Sequence, residues 1–476
     1  MSEHCGYVVK IDKIEPHFNA DRLQIVDIFG ASVIVDLSTK QGDLGVYFPV
    51  DLQLSEEYCA QNNLVRKLDE NGNNIGGYLE PNKRNIRAMK LRGAKSEGLF
   101  MPLESLGYTG VTKFEIGDKI EILNGHEICR KYIPRGRKNG GSAKGGNRVR
   151  KRNVVIAPLF AEHADTEQLA YNLDAFKPND QIEITLKMHG TSGRTGYLPK
   201  LVSYKRSLWD KIFKREGTPI YNWGYVTGTR RVVLEDFDQL GGFYGNNKFR
   251  EPHAKVFEGK LWKGETVYYE IVGFTDNGVP IMPSVSNSKV NDKEFTKMYG
   301  KTTTFSYGCE PCGVETVEDC GEYLIEKEVP QSDMYVYRMT MTNEDGDVVE
   351  YTPDFMRYRC AQMGVKTVPI LWSGFLDPDV VNELGMINPD NENEIITIPN
   401  AAGQWIKDTA EEYYDGPDPI GKTHVREGVV VRIVNRPKFT AYKHKNFSFK
   451  CLEGIAKDIA EAPDMEEAQE VVEDEN

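Results

Sequence analysis

A lysine followed by histidine and glycine, two glutamates in apolar strands and a closing lysine pair are the residues here whose types and spacing carry chemistry. Lys187 lies in Ile184-Thr185-Leu186-Lys187-Met188-His189-Gly190-Thr191-Ser192. The apolar and β-branched residues before it read as a buried strand. Gly190 permits a turn, and Arg194–Leu198 reads as a second strand. A lysine at the exit of an apolar strand is poorly solvated. Burial disfavours its ammonium form and lowers its pKa, which is one route to a lysine nucleophile at neutral pH. The same side chain can equally snorkel to water and take no part in chemistry, and a lone Lys-x-His-Gly recurs by chance.

Further residues follow in order. Arg206 ends Leu201-Val202-Ser203-Tyr204-Lys205-Arg206, nineteen residues after Lys187. Glu270 sits inside Val267-Tyr268-Tyr269-Glu270-Ile271-Val272-Gly273, and Tyr337 inside Tyr335-Val336-Tyr337-Arg338-Met339. Glu427 opens Glu427-Gly428-Val429-Val430-Val431-Arg432, and Lys443 and Lys445 lie in Ala441-Tyr442-Lys443-His444-Lys445-Asn446. Each alone has an ordinary reading: a glutamate in an apolar strand pairs with a buried arginine, and Lys-x-Lys marks the solvent side of a strand edge. Together they supply a nucleophile, carboxylates for a hard cation, an aromatic ring and cations for phosphate.

This ordered set resembles the motifs of the covalent nucleotidyltransferases, the polynucleotide ligases and mRNA capping enzymes. Within them it is most similar to nick-sealing RNA ligases that place an OB-fold domain ahead of the ligase domain. The His of Lys-Met-His-Gly occurs among those ligases, where many relatives have Asp. The resemblance covers nearly the whole chain, with the linker, 373–426 and the acidic tail as its vague parts. It implies an α+β chain with an OB-like β-barrel at residues 1–125, a basic linker at 126–153, a nucleotidyltransferase domain of antiparallel sheets flanked by helices at 154–456, and an acidic tail at 457–476. It also implies an ATP-dependent RNA ligase that forms lysyl-AMP, adenylylates an RNA 5′-phosphate and joins it to a 3′-OH, at nicks in duplex RNA or RNA–DNA hybrids, as in RNA repair. Lys187 would be the nucleophile. Lys443 and Lys445 would lower its pKa and stabilise charge on the α-phosphate. Glu270 and Glu427 would hold hydrated Mg²⁺ or Mn²⁺. Tyr337 would stack on adenine. Arg206 would grip phosphate or ribose with its planar fork, and His189, Gly190 and Ser192 would line the nucleotide and acceptor phosphate. The siblings are a GTP-dependent capping enzyme, whose OB domain normally follows the transferase domain, and a DNA nick ligase, which the His mildly disfavours. Outside enzymes stand a non-catalytic RNA-binding protein with a ligase fold and a tRNA-binding accessory protein; the latter leaves 154–456 unexplained.

The elements that must position these groups are legible in part. Tyr7–Ile11, Leu23–Ile28, Ala31–Asp36 and Val46–Val50 read as short strands at the spacing of a small closed barrel, and OB barrels bind oligonucleotides. Lys83, Arg84, Arg87, Lys90 and Arg92 would contact phosphate or form an ordinary solvated face. Arg130 to Arg152 holds ten Lys or Arg and no acid, within a glycine-rich stretch that includes Lys144, Arg148 and Arg150. It reads equally as an RNA-binding segment and as a solubilising tether. From Val154 the pattern is mixed: a helix over Thr166–Phe176 capped by Asp165, strands at Leu201–Tyr204, Val232–Leu234, Val267–Val272 and Val336–Met341, a helix at Thr352–Met363, a loop-rich 373–404, a helix around Gln404–Tyr413, and strands Gly428–Val434 and Phe439–Tyr442.

Arg230 and Arg231 read as a second phosphate clamp or as a basic strand edge. The insert between Tyr197 and Tyr225 would touch RNA or cover a sheet edge. Cys309-x-x-Cys312 with Cys320 has the opening spacing of a zinc site but no evident fourth ligand. The net charge of −13 conceals a local asymmetry, since 461–476 alone carry eight acids and no base. That tail would bind a basic partner, compete with nucleic acid, or stay disordered. Eight cysteines in 476 residues, with neither a signal-peptide pattern nor a membrane-length apolar run, read as a soluble intracellular protein with reduced thiols. Nothing calls for more than a monomer.

Overall fold

The computed structural model describes residues 5–453 except 21, 51, 69–73, 78, 92–93, 133–155, 164–165, 208, 210–212, 214–216, 235, 239–243, 245, 291, 320–323, 377–384, 389–390 and 398–399. Lys144, Arg148 and Arg150, most of the basic linker, Arg92, Cys320 and the acidic tail therefore lie outside the described residues. The chain divides into two compact units, Met1–Arg135 with Ser288–Asn291 and Phe447–Asp464, and Gly136–Asn287 with Asp292–Asn446 and Met465–Asn476.

In the first unit the expected strands form: β1 (Gly6–Lys10), β2 (Ile14–Pro16), β3 (Leu23–Ile28), β4 (Ala31–Asp36) and β5 (Leu44–Phe48), followed by helix α1 (Glu56–Gln61), β6 (Leu99–Pro102) and β7 (Lys119–Ile120). They pair as a four-stranded sheet in the order β6-β5-β1-β7 and a three-stranded sheet in the order β2-β3-β4. These ladders are separate, so among the described residues hydrogen bonds do not close the expected single barrel. Val8, Val46, Phe48, Leu52, Leu106 and Ile120 share one buried core. The helix Phe447–Leu452 belongs to this unit rather than to the second, where the sequence reading carried the catalytic domain to 456. Its Lys450 Nζ pairs with Glu97 Oε1 at 2.5 Å, and Lys95 lies over the Phe447 ring at 4.7 Å.

The second unit contains β8 (Gln181–Leu186), β9 (Thr191–Lys205), β10 (Thr218–Gly228), β11 (Glu265–Gly273), β12 (Ser332–Thr342), helix α2 (Pro353–Met363), β13 (Ile370–Phe375), helix α3 (Ala401–Tyr413), β14 (Gly428–Ile433) and β15 (Ala441–Lys445). One sheet runs from the short strand Glu167–Gln168 through β15, β14 and β8 to β13. A larger one runs β10-β9-β11-β12, with short strands at its edges. Alternation explains the first sheet. Ile182, Ile184, Val429, Val431 and Ile433 point to one face, where they pack against Ala402, Ile406 and Ala410 of α3. Those three recur at the four-residue spacing of one helix face. Glu183, Thr185, Val430 and Arg432 point to the other face.

Three expectations change. Thr166–Phe176 is not an α-helix but the strand pair Glu167–Gln168 followed by two single 3₁₀ turns, Leu169–Tyr171 and Leu173–Ala175. Asn172 takes φ −134° between them, and its side chain donates to the Gln168 carbonyl at 2.8 Å. Such a local bond competes with helix continuation. Asp165 lies outside the described residues. The strands expected at Arg194–Leu198 and Leu201–Tyr204 are one continuous β9. The stretch 373–404, read as loop-rich, contains the hairpin Gly385–Asn388 with Asn391–Thr397.

A buried ion pair ties α2 to the large sheet. Thr352 caps α2 by accepting from the Phe355 amide, and Pro353 occupies its first turn. From this helix Arg359 Nε and Nη2 reach Glu265 Oε1 and Oε2 at 2.8 and 2.7 Å, and its guanidinium lies 3.9 Å from the Trp262 ring centroid. Arg359→Met leaves the Glu265 carboxylate buried without its cation. It should destabilise this unit by about 3–5 kcal/mol in equilibrium denaturation, and adding Glu265→Gln should return part of the loss.

Candidate active site

Lys187 stands where the chain passes from one sheet of the second unit to the other. β8 ends at Leu186, the Lys187 amide donates to the Gly428 carbonyl at 3.0 Å, and β9 begins at Thr191. The crossover is tight. A Cβ on Gly190 would lie 2.3 Å from the Ile271 carbonyl oxygen, and one on Gly428, at φ 150°, 2.1 Å from that of His444. Only glycine fits both positions.

The cleft beside the crossover is open to solvent, with about 910 Å³ of empty space that runs on into bulk water. Glu183, Thr185, Val430, Arg432 and Ala441 line it from one sheet, and Ser192, Glu270 and Tyr337 from the other. At its head Lys187 Nζ lies 2.7 Å from Glu427 Oε1, and Lys445 Nζ lies 3.2 Å from the same oxygen. The glutamate side chain is 1% exposed, the lysines 18% and 11%. Burial opposes ionisation of Glu427, but the two ammonium groups and His189 outweigh it and hold the carboxyl well below the usual range. Glu427 Oε2 lies 3.6 Å from His189 Nδ1, beyond hydrogen-bonding distance. The His189 amide donates to the Tyr307 hydroxyl at 2.7 Å. Burial, with Asp418 and Glu427 nearby, pushes that phenol well above its ordinary value.

Other elements set the remaining groups. Ser192 Oγ donates to Glu270 Oε2 at 3.3 Å, and the buried Arg250 fixes this turn by donating to the Ser192 carbonyl at 2.8 Å and to Thr191 Oγ1 at 2.6 Å. Tyr337 is the extra residue of a β-bulge: on β11 Tyr268 faces Arg338 and Tyr269 faces Val336. A bulge re-aims a side chain, and here the ring reaches the cleft. Lys443 shares a β15 face with Ala441 and Lys445 and lies opposite Val430. Arg230 lines the cleft. Arg194 anchors its turn, donating to the Arg231 carbonyl at 3.0 Å. Arg231 itself is exposed.

Arg206 is the correction. It follows the last residue of the 15-residue β9 and is exposed, and it does not line the cleft. At about 3.3 Å per residue that strand carries it on the order of 45 Å along the sheet from Thr191. A nineteen-residue spacing from Lys187 places an arginine near the site only if the chain turns back, and β9 does not.

Several lining residues were missed. Glu183 accepts from Arg357 Nη1 at 2.8 Å. Phe439 lies between the Arg338 and Arg432 guanidinium groups, at 4.8 and 5.0 Å. His163 packs edge-on to Tyr337 with ring centroids 5.0 Å apart. Burial, then the cations of Arg338, Arg230 and Arg194, hold its imidazole well below its ordinary pKa and so neutral. The alternation in Gln181-Ile182-Glu183-Ile184-Thr185-Leu186-Lys187 was a signal for Glu183 and Thr185. None in the sequence pointed to His163. Cys309 is buried, which pushes its thiol up to about 12, and Cys312 is exposed; neither joins a metal-binding cluster among the described residues.

The family model of an OB-fold domain matches residues 6–103. No curated protein matches the sequence. Among solved structures, a mutant Naegleria gruberi RNA ligase with AMP and Mn aligns with a TM-score of 0.52 at 15% identity, covering 94% of this chain and 98% of that one. The same ligase with PPi aligns with a TM-score of 0.51 at 16% identity, covering 94% and 97%. The chain has the fold of an RNA ligase. A mutant of that ligase with ATP and Mn aligns equally, with a TM-score of 0.51 at 15% identity over 94% and 98%. This ligase fold contains no helix, among the described residues, long and apolar enough to cross a membrane.

The strand carrying the lysines is held from behind. Glu411 of α3 pairs with Lys407 at 2.8 Å and with His444 of β15 at 3.2 Å, and Tyr414 stacks on His444 at 5.0 Å. Burial works against the Glu411 charge, but these two partners lower its pKa to about 2. A lowered folded-state pKa stabilises above the unfolded value and is lost as pH falls towards the folded one. The acid limb of stability between the ordinary carboxylate range and pH 2 should therefore be shallower in Glu411→Gln, as read by denaturation midpoints at successive pH values.

Proposed function

We propose that this chain is an ATP-dependent RNA ligase working through a lysyl-AMP intermediate, with Lys187 as nucleophile. The observation that carries the reading is the Lys187–Glu427–Lys445 cluster, buried at the crossover between two sheets of an RNA-ligase fold. Lys187 Nζ gives up a proton to solvent and, as the neutral amine, attacks the α-phosphorus of ATP. An N–P bond forms, the bond to the β-phosphate oxygen breaks and pyrophosphate leaves. The RNA 5′-phosphate then takes the adenylyl group from lysine, and the neighbouring 3′-OH displaces AMP to form the phosphodiester. The substrate is a nick with 3′-OH and 5′-phosphate ends in duplex RNA or an RNA–DNA hybrid, as repair of broken RNA requires.

The residues act chiefly by position and charge. Lys445, anchored on Glu427, supplies positive charge beside the nucleophile, with Lys443 on the same face. Tyr337, fixed by its bulge and by the edge-on His163, presents a ring for adenine. Arg230 takes the anion-binding role first read for Arg206. Two buried carboxylates, Glu270 and Glu427, border the phosphate end, and Glu427 Oε2 has no hydrogen bond among the described residues. All-oxygen donors of this kind fit Mg²⁺ or Mn²⁺ held partly through water. When bound, the ion neutralises phosphate charge.

Incubation with α-labelled ATP or GTP and Mg²⁺, followed by denaturation, tests the first step. Label from ATP alone should stay on the protein and be discharged by pyrophosphate, falling on the order of 10³-fold or more in Lys187→Ala and Glu427→Ala. Label from GTP instead points to capping chemistry. No label from either, in a folded protein whose intact mass shows no bound AMP, overturns the covalent mechanism.

A further inference from the structure

Beyond the cleft, β9 and β10 continue as a two-stranded ribbon whose register sorts its side chains. Tyr197 faces Tyr225, Pro199 faces Trp223 and Leu201 faces Tyr221; Val202 is an extra, bulged residue, after which Tyr204 faces Pro219. Paired residues share a face and successive ones alternate. The odd residues of β10 therefore stand beside Tyr197, Pro199 and Leu201 before the bulge and beside Tyr204 after it. One face of the ribbon thus carries Tyr197, Tyr225, Trp223, Tyr221 and Tyr204 in succession. The inner rings are anchored. Tyr197 and Tyr225 stack at 4.7 Å, the Tyr225 hydroxyl accepts from the Gly259 amide at 2.6 Å, and Lys263 Nζ lies 5.3 Å from the Trp223 ring centroid. The outer rings are open to solvent, Tyr221 at 40% and Tyr204 at 37%. Past the strands, the exposed Trp209 and Phe213 stack on each other.

The sequence of this arm is rich in positive charge. Residues 199–217 carry six Lys or Arg and two acids, in a chain of net charge −13. A row of aromatic faces on a positively charged arm, with Lys263 over Trp223, suits bases that stack and phosphates that pair, without reading sequence. A protein partner accounts for the rings but not for the concentration of positive charge.

We infer that the β9–β10 ribbon is a binding arm for a single strand of RNA, with unpaired bases stacking on Tyr204, Tyr221 and Trp223 and phosphates meeting Arg206 and Lys263. The inference rests on the reading that this chain acts on RNA, and it assigns the arm a separate task, holding strand away from the cleft. Arg206 then has a place: a phosphate contact of the arm.

The test uses the full chain and a fluorescein-labelled single-stranded oligoribonucleotide lacking a 5′-phosphate, which offers the cleft no end to seal. Anisotropy gives affinity across a salt series. Tyr204→Ala/Tyr221→Ala should weaken binding on the order of tenfold or more with the salt slope unchanged. Tyr204→Phe/Tyr221→Phe, which keeps both rings, should bind within about twofold of the parent. Arg206→Gln/Lys263→Gln should reduce the salt slope. Parent-like binding by the alanine pair, or no binding by the parent chain, overturns the inference. Each variant is also charged with labelled ATP. Normal labelling with weakened RNA binding supports the arm, and ring-dependent RNA binding without labelling in any variant retains the arm while removing the ligase reading.

Discussion

The second unit depends on one buried carboxylate shared by two ammonium groups. Glu427 is out of water, and an isolated charge there is expensive. Lys187 and Lys445 offset that cost, and in doing so bring together three segments far apart in the chain: the crossover after β8, the start of β14 and the end of β15. The surrounding features tighten the same knot. Gly428 lets the backbone after Glu427 approach β15, and Gly190 lets the chain after Lys187 pass against β11. The charged cluster is thus a clasp across neighbouring strands of one sheet, set where the chain leaves that sheet for the other.

The two sheets divide the work by alternation. In β8 and β14 every second residue is apolar and buried against α3, leaving Glu183, Thr185, Val430 and Arg432 for the cleft. A one-residue slip would exchange the two sets, so the helix packing behind the sheet also enforces the chemistry in front of it. The large sheet is pinned differently. Arg359 clamps Glu265 at the start of β11, five residues before Glu270. Arg250 clamps Thr191 and Ser192 at the start of β9.

What was legible in the sequence follows from the range over which each signal acts. Lys187, Glu270, Glu427 and Lys445 sit in short strand motifs whose local pattern is their context; Lys187 and Glu270 line the cleft, and Glu427 pairs with both Lys187 and Lys445. Tyr337 was read from its strand, although the bulge that aims it was not. Arg206 failed because spacing does not report whether a strand continues. Thr166–Phe176 failed because its apolar spacing fits a helix while Asn172 bonds locally instead. Leu169 and Phe176 still reach the core that the spacing implied. His163 belongs to no motif, and its role arises only from rings and cations contributed by distant strands.

The bulged Val202 has a meaning for how the ribbon could have changed in length. In a two-residue repeat, adding one residue to a single strand turns everything beyond it over. Without Val202, Tyr204 would stand on the side of Lys200 and Asn222, away from Tyr221 and Trp223. The bulge is the trace such an addition leaves, since it confines the extra residue to one point and lets the outer segment resume pairing with reversed parity. Descendants of this ribbon can therefore grow in pairs without consequence, or by single residues with a change in which side faces a partner, and in either case β9 still begins at the same turn beside Lys187.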